Sequence, residues 1–164
     1  MLGKNANPLL IKTEQAVMAK VPPNLQAGLK KAVTVGLKIM YSDEGQNIMK
    51  DQLMKSGEYA DNAAEGAVKL LGEMYKQSKS TMPMTIGVPA ATMLMCEALD
   101  FIEQSGKVRI DNDVLAEATK ALGSYVMQLF GISQDQLHEM AAKAKQQGGP
   151  PPAAPAAGGI IGGN

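Results

Sequence analysis

Between one proline or glycine and the next, nearly every stretch of this chain repeats its apolar residues at intervals of three and four. Leu115, Ala118, Leu122, Tyr125, Val126 and Leu129 form the cleanest such run, closed by Gly131, and Leu25, Leu29, Ala32, Val33, Gly36, Leu37 and Met40 form another. That interval places side chains on one face of an α-helix, whereas a strand needs alternation. The pattern predicts an all-α fold, a compact bundle of about six or seven helices.

Punctuation sets the predicted boundaries. Asn7-Pro8 reads as a cap followed by proline in the first turn, and Pro22-Pro23 ends a first helix that starts at Pro8 and runs to about Lys20. A second helix is predicted over 24–41. Ser42 with Asp43 and Glu44 opens a short third that stops near Lys55, Ser56 and Gly57. From Glu58, Ala60, Ala63, Ala64, Ala67, Val68, Leu71, Met74 and Tyr75 make a stripe whose first half is alanine, suited to close approach by a neighbouring helix. Membrane helices use small residues in the same way, but Asp61, Glu65, Lys69 and Glu73 favour a water-soluble setting.

Ser80–Cys96, S-T-M-P-M-T-I-G-V-P-A-A-T-M-L-M-C, is the longest stretch without charge ahead of the C-terminal tail, at 17 residues. It is shorter than the roughly 20 residues that cross a bilayer, and Pro83, Gly87 and Pro89 interrupt it. It reads as an apolar loop leading into a central helix that opens near Pro89 and ends at Ser105-Gly106, with Leu94, Met95, Ala98, Leu99 and Ile102 inward. A second reading makes it an insertion element used when several copies meet a membrane. Met82, Met84, Ile86 and Val88 are therefore candidate partner-binding residues.

Lys107–Ile110 is a brief extended connector, after which Asp111, Asn112 and Asp113 supply caps for the helix of the cleanest stripe. Ser133 and Gln136 then fit a capping box, and a last helix is predicted to about Gln147. Residues 1–147 thus form one helical domain. Residues 148–164, GGPPPAAPAAGGIIGGN, form a Pro/Ala/Gly-rich tail expected to be flexible alone, because it has little surface to bury against its ordering entropy. The tail is either dispensable or a reach for Ile160 and Ile161, the remaining candidate partner-binding residues, to dock in a groove.

Composition narrows the function classes. Sixteen basic residues balance sixteen acidic ones, which leaves no net field for a nucleic acid or an anionic membrane, and the single Arg argues against phosphate recognition. The charges fall in blocks: residues 1–41 hold six Lys against Glu14, residues 42–65 hold two Lys against six acids, and residues 80–117 hold Lys107 and Arg109 against six acids. Such blocks are either solvated faces or contacts between copies arranged head to tail. With no Trp and few Phe or Tyr, twelve Met help fill the core or form adaptable surfaces.

Catalytic patterns do not emerge. Cys96 is the only cysteine and reads as a buried small hydrophobe, so neither an internal disulfide nor a cysteine zinc site is expected. His138, the only histidine, reads as a surface residue. Asp111, Asn112 and Asp113 lack the later glycine and glutamate of a calcium loop. The expectation is a non-enzymatic protein without cofactor, metal or small-molecule substrate. The first twenty residues do not read as a secretory signal, so synthesis in the cytoplasm is expected.

The stretch Pro83–Gln104, the I-D-N-D-V-L-A-E-A-T-K-A-L run (Ile110–Leu122), the G-I-S-Q-D-Q-L turn (Gly131–Leu137) and the terminal GGIIGGN together resemble small helical virion proteins of tailed bacteriophages, in particular the internal ejection proteins of short-tailed phages. The resemblance is general and carries no site residue across. It implies a homo-oligomer that joins other virion proteins. It also implies a place in the particle and then in the host envelope, where the assembled form contacts membrane or DNA as part of a conduit. The rival expectation is a soluble helical adaptor that binds and modulates another protein.

Overall fold

The computed structural model describes residues 6–55 and 57–133, together with residues 135, 136, 138, 139 and 142. Six helices follow in order: α1 (Pro8–Lys20), α2 (Pro23–Met40), α3 (Asp43–Leu53), α4 (Tyr59–Gln77), α5 (Met84–Gln104) and α6 (Asn112–Phe130). The protein is all-α, and no strand occurs among the described residues.

Local chemistry fixes most of the ends. The Asn7 side-chain oxygen accepts a hydrogen bond from the Leu9 N–H at 2.9 Å with Pro8 in the first turn, and Ser42 Oγ accepts from the Gly45 N–H at 3.0 Å. Asp111 Oδ1 accepts from the Asp113 and Val114 N–H groups, both at 3.0 Å, and Gly131 closes α6 in the left-handed region with φ 62°. Asp111→Ala leaves those two donors to water alone and is expected to cost about 1 kcal/mol, read as a lower midpoint in urea unfolding. Past α6, the Ser133 N–H donates to Gln136 Oε1 at 3.0 Å and the Gln136 N–H donates to Ser133 Oγ at 3.2 Å, the reciprocal pair of a capping box. Residues 135, 136, 138, 139 and 142 are helical and exposed, while the expected end near Gln147 and the tail lie outside the described residues.

One boundary differs from the sequence reading. The central helix opens at Met84, not near Pro89, so much of the anticipated loop is helix and Pro89 lies inside α5. Pro83, extended at ψ 147°, serves as the N-cap residue, and its carbonyl accepts from the Ile86 and Gly87 N–H groups. Pro89 removes one ladder donor, and an interior proline costs ~3 kcal/mol. Packing offsets that cost. Ile86 lies over Gly28 of α2, where a Cβ would come within 2.8 Å of its Cδ1, and Gly87 faces Leu71 of α4. Propensity alone favours a start after the proline, but the extra turn buries Ile86 and Gly87.

α5 is the hub, packing against α1, α2, α4 and α6. Leu94, Met95, Cys96, Ala98, Leu99 and Ile102 are fully buried. By length and composition α5 also suffices to cross a bilayer, but 72% of its apolar window is buried among the other helices, as in a core helix. α4 lies between α5 and α6 with Ala60, Ala63, Ala64 and Ala67 inward, as the alanine stripe anticipates. Near the end of α4, Tyr75 and Phe130 meet edge to face at 5.2 Å, and in its first turn Asp61 Oδ2 accepts from the Tyr125 hydroxyl at 2.7 Å.

Candidate functional site

At the corner where α2 turns into α3, Tyr41 and Ser42 reverse the chain, and α3 begins pressed against the last turn of α2. Gly45 permits this: a Cβ there would stand 1.8 Å from the Ile39 carbonyl oxygen. The contact swings Gln46, Met49 and Lys50, which share one face of α3, toward the end of α2 and toward α5. With Met40, Tyr41 and Phe101 they line a pocket of about 150 Å³. Met40 and Met49 are buried, whereas Tyr41 is 50% exposed, and on the outer side of α3 Ile48 is 57% exposed.

One turn before Phe101 stands Glu97, only 4% exposed and among the few charged residues in the core. The Tyr41 hydroxyl donates to Glu97 Oε2 at 3.4 Å, while Glu97 Oε1 is buried with no hydrogen-bond partner among the described residues. Burial pushes the Glu97 carboxyl above the usual carboxylate range and the nearby Asp100 adds to the rise, against the lowering by the Tyr41 hydrogen bond. Burial, Glu97 and Asp100 likewise push the Tyr41 phenol up to about 12. A buried carboxyl of raised pKa beside a pocket is a usual sign of acid-base work. Here the Tyr41 phenol, half exposed, is bonded to that carboxyl, and three of the six lining residues, Met40, Met49 and Phe101, are apolar.

A pH dependence follows from Glu97. Because its pKa is raised on folding, the folded state holds the proton more tightly than the unfolded chain. Its contribution is therefore harmless below the unfolded carboxyl pKa and becomes a penalty as pH rises through the folded value. Glu97→Gln removes that penalty. The variant should match or fall below the wild type near pH 4 and exceed it near neutrality, and urea midpoints measured across that range check the crossing.

The other two acids of α5, buried Asp100 and half-buried Glu103, are tethers. Asp100 Oδ1 accepts from the Ala6 N–H at 3.1 Å, and Asp100 Oδ2 accepts from Gln104 Nε2. Glu103 accepts from Asn7 Nδ2 at 2.8 Å and from the Ile110 N–H at 2.8 Å, and Asn7 Nδ2 also donates to the Ile110 carbonyl at 3.1 Å. Together they fasten the start of α1 and the α5–α6 connector to the end of α5. Cys96 is fully buried, and burial, with Glu14 and Glu97 adding, pushes its thiol up to about 12. Among the described residues no three His, Cys, Asp or Glu side chains converge as a metal site.

Of the residues singled out from sequence, Met82, Met84 and Val88 are half-buried at the turn between α4 and α5 and the start of α5. Ile86 faces the core over Gly28, which sets it apart from those three. Ile160 and Ile161 lie outside the described residues. The pocket itself had no sequence signature. Its nearest hint was the acids Glu97 and Asp100 set among the apolar residues of the second half of α5. No protein-family model, curated protein or solved structure matches this chain.

Proposed function

We propose that this protein is a structural component that works by assembling with copies of itself and with other proteins, as an internal or ejection protein of a tailed-phage virion that helps form a DNA-delivery conduit through the host envelope. The observation that carries the assembly part is the α2–α3 corner: an apolar pocket walled by two methionines and a phenylalanine, with Tyr41 and Ile48 exposed nearby. Methionine walls re-pack around different partners, and an exposed apolar patch with a polar rim is the usual form of a protein-binding surface. Charge supports the same reading. Lys12, Lys20, Lys30, Lys31 and Lys38 on α1 and α2 are exposed and take part in no ion pair within the described residues, and neither do Asp43, Glu44 and Asp51 on α3. The phage context rests on the sequence resemblance.

Three measurements test the two parts. Light scattering of the purified chain is expected to give a mass of several copies that falls as salt rises. Mass spectrometry of particles is expected to find the protein in them, and the assembled form is expected to release dye from liposomes. A monomer at every concentration that captures one soluble partner overturns assembly in favour of a helical adaptor. Oligomers that are absent from particles and leave liposomes intact overturn the phage reading alone.

A further inference from the structure

We propose that in the self-assembly argued above, on which this inference rests, Ile48 of one copy enters the α2–α3 corner pocket of the next, joining copies head to tail. Three large apolar side chains are exposed among the described residues: Tyr41, Ile48 and Leu129. Tyr41 is part of the pocket wall. Leu129 already lies against α4, its methyls 3.6 and 3.8 Å from where a Cβ on Gly72 would stand. Ile48, on the outer side of α3, is the most exposed of the three at 57%. Its side chain suits the cavity. A space of about 150 Å³ accepts a benzene molecule, the pocket has about that volume, and an isoleucine side chain has four carbons against benzene's six. Met40 and Met49 are unbranched and adapt their walls to a branched guest.

Charge selects the same residue. Glu44 stands one turn before Ile48 and Asp51 one turn after it, so the knob is set between two acids. The pocket rim carries the opposite sign: Lys50 lines it, and Lys38 lies one turn ahead of Tyr41 on α2. All four are exposed, and none forms an ion pair within the described residues. The acids around Phe101 on α5 are engaged within the chain, Glu97 with Tyr41, Asp100 with Ala6 and Gln104, and Glu103 with Asn7 and Ile110. Asp43 stands apart from the rim lysine, roughly 10 Å from Lys50 along α3. Leu129 has no charged residue within four positions on either side, so nothing beside it answers the two lysines. Opposite charges around an apolar contact steer the encounter and fix its register.

Direction follows from the helix. Gln46, Met49 and Lys50 face the pocket, and at about 3.6 residues per turn Ile48 points roughly 150° around α3 from the middle of that face. A two-fold pair sets one patch against itself, which would require knob and pocket to face the same partner. Facing apart, they engage two different copies. Such a contact builds a ring where the rotation between copies closes and a filament where it does not, and either form holds many copies.

The test is light scattering of the full chain and its variants. The wild type is expected to exceed the mass of two chains. Ile48→Asp is expected to fall to the mass of one chain with its melting midpoint unchanged, whereas Leu129→Asp keeps the wild-type mass. Lys38→Glu combined with Lys50→Glu reverses the charge of the rim and is expected to be monomeric as well. Mixed in equal amounts, the Ile48→Asp variant supplies an intact pocket and the rim variant an intact knob, so pairs of chains form and grow no further. An Ile48→Asp variant that keeps the wild-type mass overturns the proposal and leaves assembly standing through another surface. A wild-type mass that stops at two chains overturns the head-to-tail contact, and a mixture that stays monomeric overturns the match of knob to pocket. A wild type that is monomeric at every concentration overturns this inference and the assembly reading together.

Discussion

Gly45→Ala is expected to destabilise the protein by about 3 kcal/mol, at the upper end for overpacking, and to lower the melting midpoint by about 6–12 °C for a chain of this size. The new Cβ would be placed 1.8 Å from the Ile39 carbonyl oxygen, 2.8 Å from Ser42 Oγ and 3.0 Å from the Ile39 carbonyl carbon. A flexible side-chain end yields to such an intrusion, but a carbonyl in the last turn of α2 moves only with its helix. α3 must then lift away from α2. The Gly45 N–H loses its bond to Ser42 Oγ, and Gln46, Met49 and Lys50 leave the pocket. The variant should therefore lose stability and any binding at the corner together. Gly123→Ala on α6 is the control, since no atom outside its own helix neighbourhood lies within 4 Å of the added Cβ. There the better helix former is expected to add about 0.5–1 kcal/mol. Thermal melts of the two variants side by side separate steric blockage from helix propensity, and equal shifts in one direction would refute the account of Gly45.

Gly45 also marks where the sequence ceased to be readable. The helices were legible because each carries its own periodic stripe, and Asn7, Ser42, Asp111, Gly131 and Ser133 mark ends through bonds that span only a few residues. The inward residues of α5 were legible for the same reason, since Leu94, Leu99 and Ile102 share one face. α5's first turn was not. Pro89 sends a strong local stop signal, and only the distant Gly28 and Leu71 make the earlier start worthwhile. The pocket fails in the same way on a larger scale: Met49 and Phe101 stand 52 positions apart, and their meeting depends on the α2–α3 turn. Glu97 reads as an ordinary helix-surface acid until α2 is laid across it with Tyr41. Local physics is written in neighbouring residues, but a site assembled from three helices is written in their packing.

α1 sets a second case in which distant packing controls chemistry, and here the expected effect is kinetic. α1 packs chiefly on α5, and Leu10 is its one buried side chain. Its other anchors are the hydrogen bonds from Ala6 and Asn7 to Asp100, Glu103 and Ile110. Glu14 of α1 acts electrostatically on Cys96, which places this helix over the thiol. Leu10→Asp combined with Asn7→Ala puts a charge in the buried contact and deletes the tether, each a recognised route to large destabilisation. α1 is then expected to undock while α2–α6 keep their shared core. A thiol of pKa about 12 is about one part in ten thousand thiolate at pH 8, whereas a solvated thiol near 8.5 is about one part in four. The thiolate fraction thus rises about a thousandfold, the lower intrinsic nucleophilicity of the more acidic thiolate offsets part of that gain, and Cys96 should react with an aromatic disulfide reagent on the order of tens of times faster in the double variant than in the wild type, before any gain from steric access. Far-ultraviolet circular dichroism should meanwhile show most of the helix retained. A thiol that stays silent in the double variant would mean that α2 and α4 alone enclose Cys96. A thiol exposed only with loss of the whole helical signal would mean that α1 is an integral member of the core, so the two readouts together decide whether α1 is a strap laid over the bundle or one of its supports.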